Sequence, residues 1–176
     1  LSPNIHDVQF PDISITANGN VYVTFRQFAS QGNQPEAIVY AKSTNCGRSF
    51  SSPSMVTTIT PYDAHDVSVS GGTARDCGDF SSACQSGYTF FRRDTQVRST
   101  ADQKDTSHQY VYMVYDASKP GTEVDTGTTY GSLGSGRGSQ SGIYFLRLDG
   151  ATGTITTPAL LDNQSVGHQT FPDINA

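Results

Sequence analysis

Apolar and polar residues alternate with period two along most of this chain, and no segment holds a helical 3.6 period over three turns. Phe10-Pro11-Asp12-Ile13-Ser14-Ile15-Thr16-Ala17 has the pattern of a half-buried strand. It stops at Asn18-Gly19-Asn20, whose residues tolerate the positive φ of a tight hairpin turn. Val21-Tyr22-Val23-Thr24-Phe25-Arg26 resumes the alternation as a second strand. A polar stretch around Gln31 to Pro35 leads to a third strand, Ala37-Ile38-Val39-Tyr40-Ala41, and Met55 to Thr60 reads as the fourth. Four successive antiparallel strands joined by turns form a meander.

The same order then recurs. Asp94 to Ala101 stands in the place of the first strand, and Tyr110-Val111-Tyr112-Met113-Val114-Tyr115, apolar or aromatic on both faces, in that of the second. Ile143 to Leu148 is the third strand, and the unit runs to residue 161. Phe171-Pro172-Asp173-Ile174-Asn175-Ala176 repeats Phe10-Pro11-Asp12-Ile13-Ser14-Ile15 closely. Such recurrence predicts a repeated supersecondary unit in place of a single layer. The alternative is an open two-sheet sandwich of about seven to nine strands.

The turn after the third strand is the most particular stretch. In Ser43-Thr44-Asn45-Cys46-Gly47-Arg48-Ser49-Phe50, Asn45 can bond the backbone two residues on and Gly47 supplies positive φ. Ser49 offers a second hydroxyl, and Phe50 starts the return strand with a large side chain to bury. The order resembles the Asp-box of sialidase-like β-propellers, Ser-x-Asp-x-Gly-x-Thr-Phe, with Asn45 for Asp and Ser49 for Thr. Asp149-Gly150-Ala151-Thr152-Gly153-Thr154 reads as a degenerate second copy with altered spacing. Ile155 then matches Phe50, and Pro158 matches Pro53. The resemblance implies an all-β segment of a sialidase-like propeller: two four-stranded antiparallel blades and the first strand of a third. Residues 1–62 form blade one, 63–93 a long crossing loop, 94–162 blade two and 163–176 the start of the next. Propellers typically close with four to eight blades, so the remaining blades are expected on a longer chain.

Composition excludes some partners. Hydrophobic residues make up 35% and charged residues only 15%, which suits short strands and polar loops in a chain long enough for a real core. With a net charge of −5 and no Lys/Arg stripe, nucleic acid is not expected as a partner. No apolar run approaches membrane-spanning length. Cys77 and Cys84 bracket a short Gly/Ser-rich loop, where a disulfide would suit a secreted or extracellular protein; two free buried thiols are the other reading. Cys46 stands apart from both. None of the four histidines stands at zinc-ligand spacing to the cysteines. No metal is assigned; calcium in an Asp-rich loop stays open, without EF-hand spacing.

Antiparallel strands reverse direction, so connections alternate between two rims. The turns at 18–20, 43–50 and 149–154 share one rim. The long irregular stretches 27–36, 61–93, 117–142 and 162–170 fall on the other, and long loops in compact domains commonly carry function. Candidate substrate-binding residues there are Arg26, Tyr88, Arg92, Arg93, Asp94 and His168. Sialidase-like enzymes hold the sugar carboxylate with three arginines and use an acid with a tyrosine–glutamate nucleophile. The resemblance therefore implies a carbohydrate partner and glycoside hydrolysis, but the family's Arg-Ile-Pro motif is absent here. Asp12 and Asp173 recur at equivalent places, which suits a repeated structural role. His65-Asp66 lacks a Gly-x-Ser-x-Gly nucleophile elbow, and 131–138 lacks the Lys-Ser/Thr of a P-loop. Two functions stay open: a propeller that recognises or hydrolyses glycans through its long-loop face, with the segment alone inactive, and a non-catalytic interaction module.

Overall fold

The computed structural model describes residues 8–28, 34–60, 95–122, 141–164 and 169–176. These form two four-stranded antiparallel sheets with no helix among the described residues. The first contains β1 (Val8–Ile15), β2 (Val21–Gln27), β3 (Ala37–Ser43) and β4 (Ser54–Thr58), hydrogen-bonded in chain order. The second contains β5 (Val97–Thr100), β6 (Tyr110–Ser118), β7 (Ser141–Asp149) and β8 (Ala159–Leu160), again in chain order. Both expected meanders therefore form, with shifted ends.

The shifts have local causes. β1 ends at Ile15, two residues early, because Thr16 closes the turn: its N–H donates to Asn20 O at 3.1 Å, and its carbonyl accepts Gly19 N–H at 2.8 Å. Gly19 takes a φ of 81°, where a Cβ would be strained. Near its start β1 is interrupted between Gln9 and Asp12, since Phe10 has a φ of 56° and Pro11 has no N–H to give the ladder. Phe171, the counterpart of Phe10, has a φ of 57°, so the two Phe-Pro-Asp segments share a backbone conformation as well as a sequence. Residues 169–176 carry that conformation outside any strand. β8 shrinks to two residues beside Pro158, and Leu161 N–H still bonds Ile143 O at 2.8 Å.

The sheets pack face to face. Tyr22, Ile38 and Val56 of the first meet Val97, Val111, Met113, Tyr115, Leu146 and Leu148 of the second in one buried core. Each fully buried large apolar side chain contributes roughly 1.5–3 kcal/mol relative to exposure. Hydroxyls stitch the first strands together: Ser14 Oγ donates to Ser99 Oγ at 2.7 Å, and Thr24 Oγ1 to the same atom at 3.2 Å. Period two sends Val23 and Phe25 to the opposite face of the first sheet, where they form a smaller cluster with Ala37, Val39 and Ala41.

The two sheets stack in the same sense. Tyr22 pairs across its sheet with Lys42, and Tyr112 pairs with Arg147 at the corresponding place in the second. Tyr22 faces the second sheet, whereas Tyr112, flanked by the core residues Val111 and Met113, points away from the first. A sandwich closed on itself would turn matching faces toward each other; here unlike faces meet.

Candidate functional site

The turn rim is built for rigidity. Ser43 Oγ accepts the N–H groups of Gly47 (2.9 Å) and Asn45 (3.3 Å), while Asn45 Oδ1 accepts Ser49 N–H at 2.9 Å. Asn45 Nδ2 donates to Ser49 Oγ at 2.7 Å, so the amide uses both ends where an Asp would only accept. Below the turn, Lys42 N–H donates to Ser51 Oγ and Ser51 N–H to Lys42 O. The second turn has the same clamp: Arg147 N–H donates to Thr156 Oγ1 at 2.9 Å, and Thr156 N–H to Arg147 O at 3.0 Å. Both clamps span nine residues, so the loops are equal in length, and Asp149 stands one position earlier in its loop than Asn45 does. Asp149 Oδ1 accepts Ala151 N–H at 2.9 Å, and this bond first, with Thr152 behind it, holds its carboxyl below the usual range. Phe50, expected to bury its ring, is 43% exposed. Its counterpart Ile155 packs on the inter-sheet core; the first sheet has no described neighbour on that side to cover Phe50.

At the opposite rim the described ends of the long connections converge. Ser118 N–H donates to Thr60 O at 3.0 Å, joining the ends of the two sheets. Ser141 Oγ donates to Gln169 O at 2.6 Å, and Gln169 N–H to Ser141 O at 3.0 Å. Both rim cations among the described residues are in ion pairs. Arg26 is buried in β2, its Nε and Nη2 donating to Glu36 Oε2 at 3.1 and 3.0 Å, with its guanidinium 4.1 Å from the Phe28 ring centre. Lys119 is buried and donates to Asp162 Oδ2 and, at 2.9 Å, to Gln164 O. The Lys119 hydrogen bond is the main reason the Asp162 carboxyl sits below the ordinary carboxylate range. Of the residues singled out for substrate binding, Arg26 alone is described, and it is committed to Glu36. Tyr88, Arg92, Arg93, Asp94 and His168 lie outside the described residues, as do Cys77 and Cys84. Cys46 is free and exposed.

Beside β5, running from the middle of the first strands toward the long-loop rim, lies an open cleft of about 460 Å³. It is lined by Gln96, Arg98 and Ser99 of the second sheet's first strand and approach, by Asp12, and by residues 171–174. Phe171 is 50% exposed at its edge. Arg98 Nη2 donates to Gln96 Oε1 at 3.4 Å, and Gln96 N–H to the buried Asp116 Oδ1 at 2.8 Å. Asp12 Oδ2 accepts Ser99 N–H at 2.7 Å, and Asp173 Oδ1 accepts Ile174 N–H at 2.9 Å. Both carboxylates thus bond backbone, the structural use suggested by their recurrence. The cleft as a whole is polar and ringed by planar hydrogen-bonding groups with an aromatic face at one end. No group of three or more His, Cys, Asp or Glu placed to hold a metal ion occurs among the described residues.

Sequence reading left Arg98 and Phe171 inside strand patterns. Alternation with the buried Val97 and Ser99 does put Arg98 on the other face of β5, but nothing in the linear sequence brings residues 171–174 beside it.

No protein-family model matches the chain, and no curated protein matches it. Among solved structures it is similar to an ulvan lyase described as a new polysaccharide lyase family, PL25, at 16% identity and a TM-score of 0.40. The match covers 85% of this chain and 26% of that one. A second PL25 ulvan lyase structure, bound to -[GlcA(1-4)Rha3S]-, matches with the same values. The chain therefore spans about a quarter of the length of the structures it matches. At that TM-score the likeness assigns no function. No described helix is long and apolar enough to cross a membrane.

Proposed function

We propose that the chain is a two-blade portion of a sialidase-like β-propeller that recognises glycans at the cleft beside β5 and the long-loop rim on which it opens. The observation that carries this reading is the cleft's combination of groups. Arg98 and Gln96 can meet vicinal hydroxyls or an acidic substituent with paired hydrogen bonds, and the half-exposed Phe171 ring can stack on the apolar face of a sugar. The blade reading is supported by the same-sense stacking of two like sheets and by the repeated turn clamp.

Binding without turnover is favoured by what the described carboxylates do. Glycoside hydrolysis needs an acid and a nucleophile or base on either side of the scissile bond. Asp12 and Asp173 instead hold backbone N–H groups, and Arg26 is held by Glu36. The test is titration of the isotope-labelled chain with a panel of neutral and acidic oligosaccharides, followed by amide shifts. Shifts are expected around residues 96–99 and 171–174, with binding weakened about tenfold or more in Arg98→Ala and Phe171→Ala, about 1.4 kcal/mol. Shifts confined to the turn rim, or none at millimolar sugar, would remove this function. Hydrolysis of a fluorogenic sialoside by the chain itself would overturn the non-catalytic part.

A further inference from the structure

Carboxylates hold the strand that carries the cleft at two backbone N–H groups. β5 is the outermost strand of the second sheet, and its ladder with β6 starts at Val97, paired with Tyr115. The N–H just before it, that of Gln96, goes to a side chain: Asp116 Oδ1 accepts it at 2.8 Å. At the other end, Ser99 N–H donates to Asp12 Oδ2 at 2.7 Å. Arg98 stands between these two fixed points. Its Nη2 donates to Gln96 Oε1 at 3.4 Å, and it enters no ion pair among the described residues.

Asp12 lies in the cleft wall, whereas Asp116 lies behind it. Asp116 is 1% exposed in β6, where it pairs with Ile143 of β7. A carboxylate taken out of water needs hydrogen bonds to offset its lost hydration, and Gln96 N–H supplies one. The corresponding place in the first sheet is different. Arg26 follows Tyr22 by four residues as Asp116 follows Tyr112, but it carries the opposite charge and spends it on Glu36. There the ladder runs on past its bulge, through Gln9–Arg26 to Val8–Gln27. In the second sheet the ladder starts only at Val97, and Gln96 is held by the Asp116 side chain instead.

We infer that Asp116 is a positioning residue of the cleft. By holding the Gln96 backbone it sets the Gln96 side chain beside Arg98, two residues on and therefore on the same face of β5. The Gln96 amide oxygen in turn orients the guanidinium. Because Asp116 and Asp12 bond backbone N–H groups, the charge of Arg98 is left for a ligand. The ligand itself rests on the glycan reading above, but the link from Asp116 through Gln96 to Arg98 can be tested without sugar.

The test uses the whole isotope-labelled chain, first alone and then with the oligosaccharide panel. In Asp116→Ala the Gln96 amide is expected to exchange about tenfold faster or more, relative to the Val111 and Leu146 amides of the core. The Arg98 Nε–H signal shifts with it, and sugar affinity falls about tenfold. Asp116→Asn keeps an oxygen acceptor in the same place, so it restores the exchange rate and the signal, with affinity within about threefold of the parent. Asp116→Leu, which fills the space without an acceptor, replaces Asp116→Ala should that variant not give the parent's circular dichroism. Val56→Ala, in the inter-sheet core and not in the cleft, lowers stability but moves none of these readouts. Unchanged Gln96 exchange and Arg98 signal in Asp116→Ala overturn the inference. So does an Asp116→Asn variant that behaves like Asp116→Ala, or a Val56→Ala variant that shifts the same signals. A parent that binds no sugar removes the glycan reading alone, and the signals recorded without sugar still decide the role of Asp116.

Discussion

Replacing Gly150 with Ala isolates the point where the two sheets come closest. An ideal Cβ built there lies 1.9 Å from Tyr22 Oη, 2.7 Å from Tyr22 Cζ and 2.9 Å from the Gln109 carbonyl oxygen. None of these atoms can move cheaply. Tyr22 is fully buried between the sheets, and the Gln109 carbonyl already accepts Gly150 N–H at 2.7 Å. Overpacking of this kind costs roughly 1–3 kcal/mol. Shifting the turn also loosens the bond from Lys42 Nζ to Gly150 O, a charge-assisted contact of about 1 kcal/mol or more. Together these predict a loss of about 2–4 kcal/mol, or roughly 4–16 °C in melting temperature for a domain of this size. Urea denaturation of four proteins measures it: parent, Gly150→Ala, Tyr22→Phe and the double variant. Tyr22→Phe alone should cost no more than about 1 kcal/mol. In the double variant the atom at 1.9 Å is gone while the ring carbon and carbonyl remain, so rescue should be partial, with favourable coupling of about 1 kcal/mol. Gly153→Ala serves as control: its φ of 79° makes Ala strained, but its Cβ meets nothing within 4 Å, so Tyr22→Phe should not rescue it. Strict additivity in the Gly150 cycle, or a Gly150→Ala variant as stable as the parent, would refute the close-approach reasoning.

Three further predictions concern titration and thiols. Asp149 and Asp162 have folded-state carboxyls below their ordinary range, so as pH falls the unfolded chain takes up protons first; the stability they contribute is complete above that range and lost as pH drops through their lowered values. Urea midpoints between pH 7 and pH 2 should show this acid limb flattened in Asp162→Asn, and an unchanged limb would argue against the Lys119 pairing as its cause. Cys46 is exposed and held at a φ of 58°, so Cys46→Gly is expected to be neutral to stabilising by up to about 1 kcal/mol, and a clear loss in melting temperature would show that the thiol has packing of its own. With Cys77 bridged to Cys84, thiol titration of the denatured parent should count one reactive group before reduction and three after.

Much of the local structure was legible in the sequence because it depends on neighbours in the chain. Period-two alternation located seven of the eight described strands to within a few residues, β8 being implied only by the unit's extent to residue 161, and Asn18-Gly19-Asn20 and Asn45-Cys46-Gly47 marked turns through their tolerance of positive φ. The repeated Phe-Pro-Asp opening does share a backbone conformation, with Phe10 and Phe171 both at positive φ, although a residue before proline ordinarily takes an extended, negative φ. Burial was less legible. Phe50 and Ile155 are equivalent in sequence, yet one is exposed and the other packed, because burial depends on which sheet lies across the interface. The cleft beside β5 was invisible for the same reason: Arg98 and Phe171 are far apart along the chain and meet only when the path after β8 returns to the first strands. Arg26 shows the converse, a residue type suited to a sugar carboxylate whose charge Glu36 already takes once β2 and β3 pair. Strand identity is a property of local alternation, whereas the availability of a charge or a ring is set by what tertiary packing places against it.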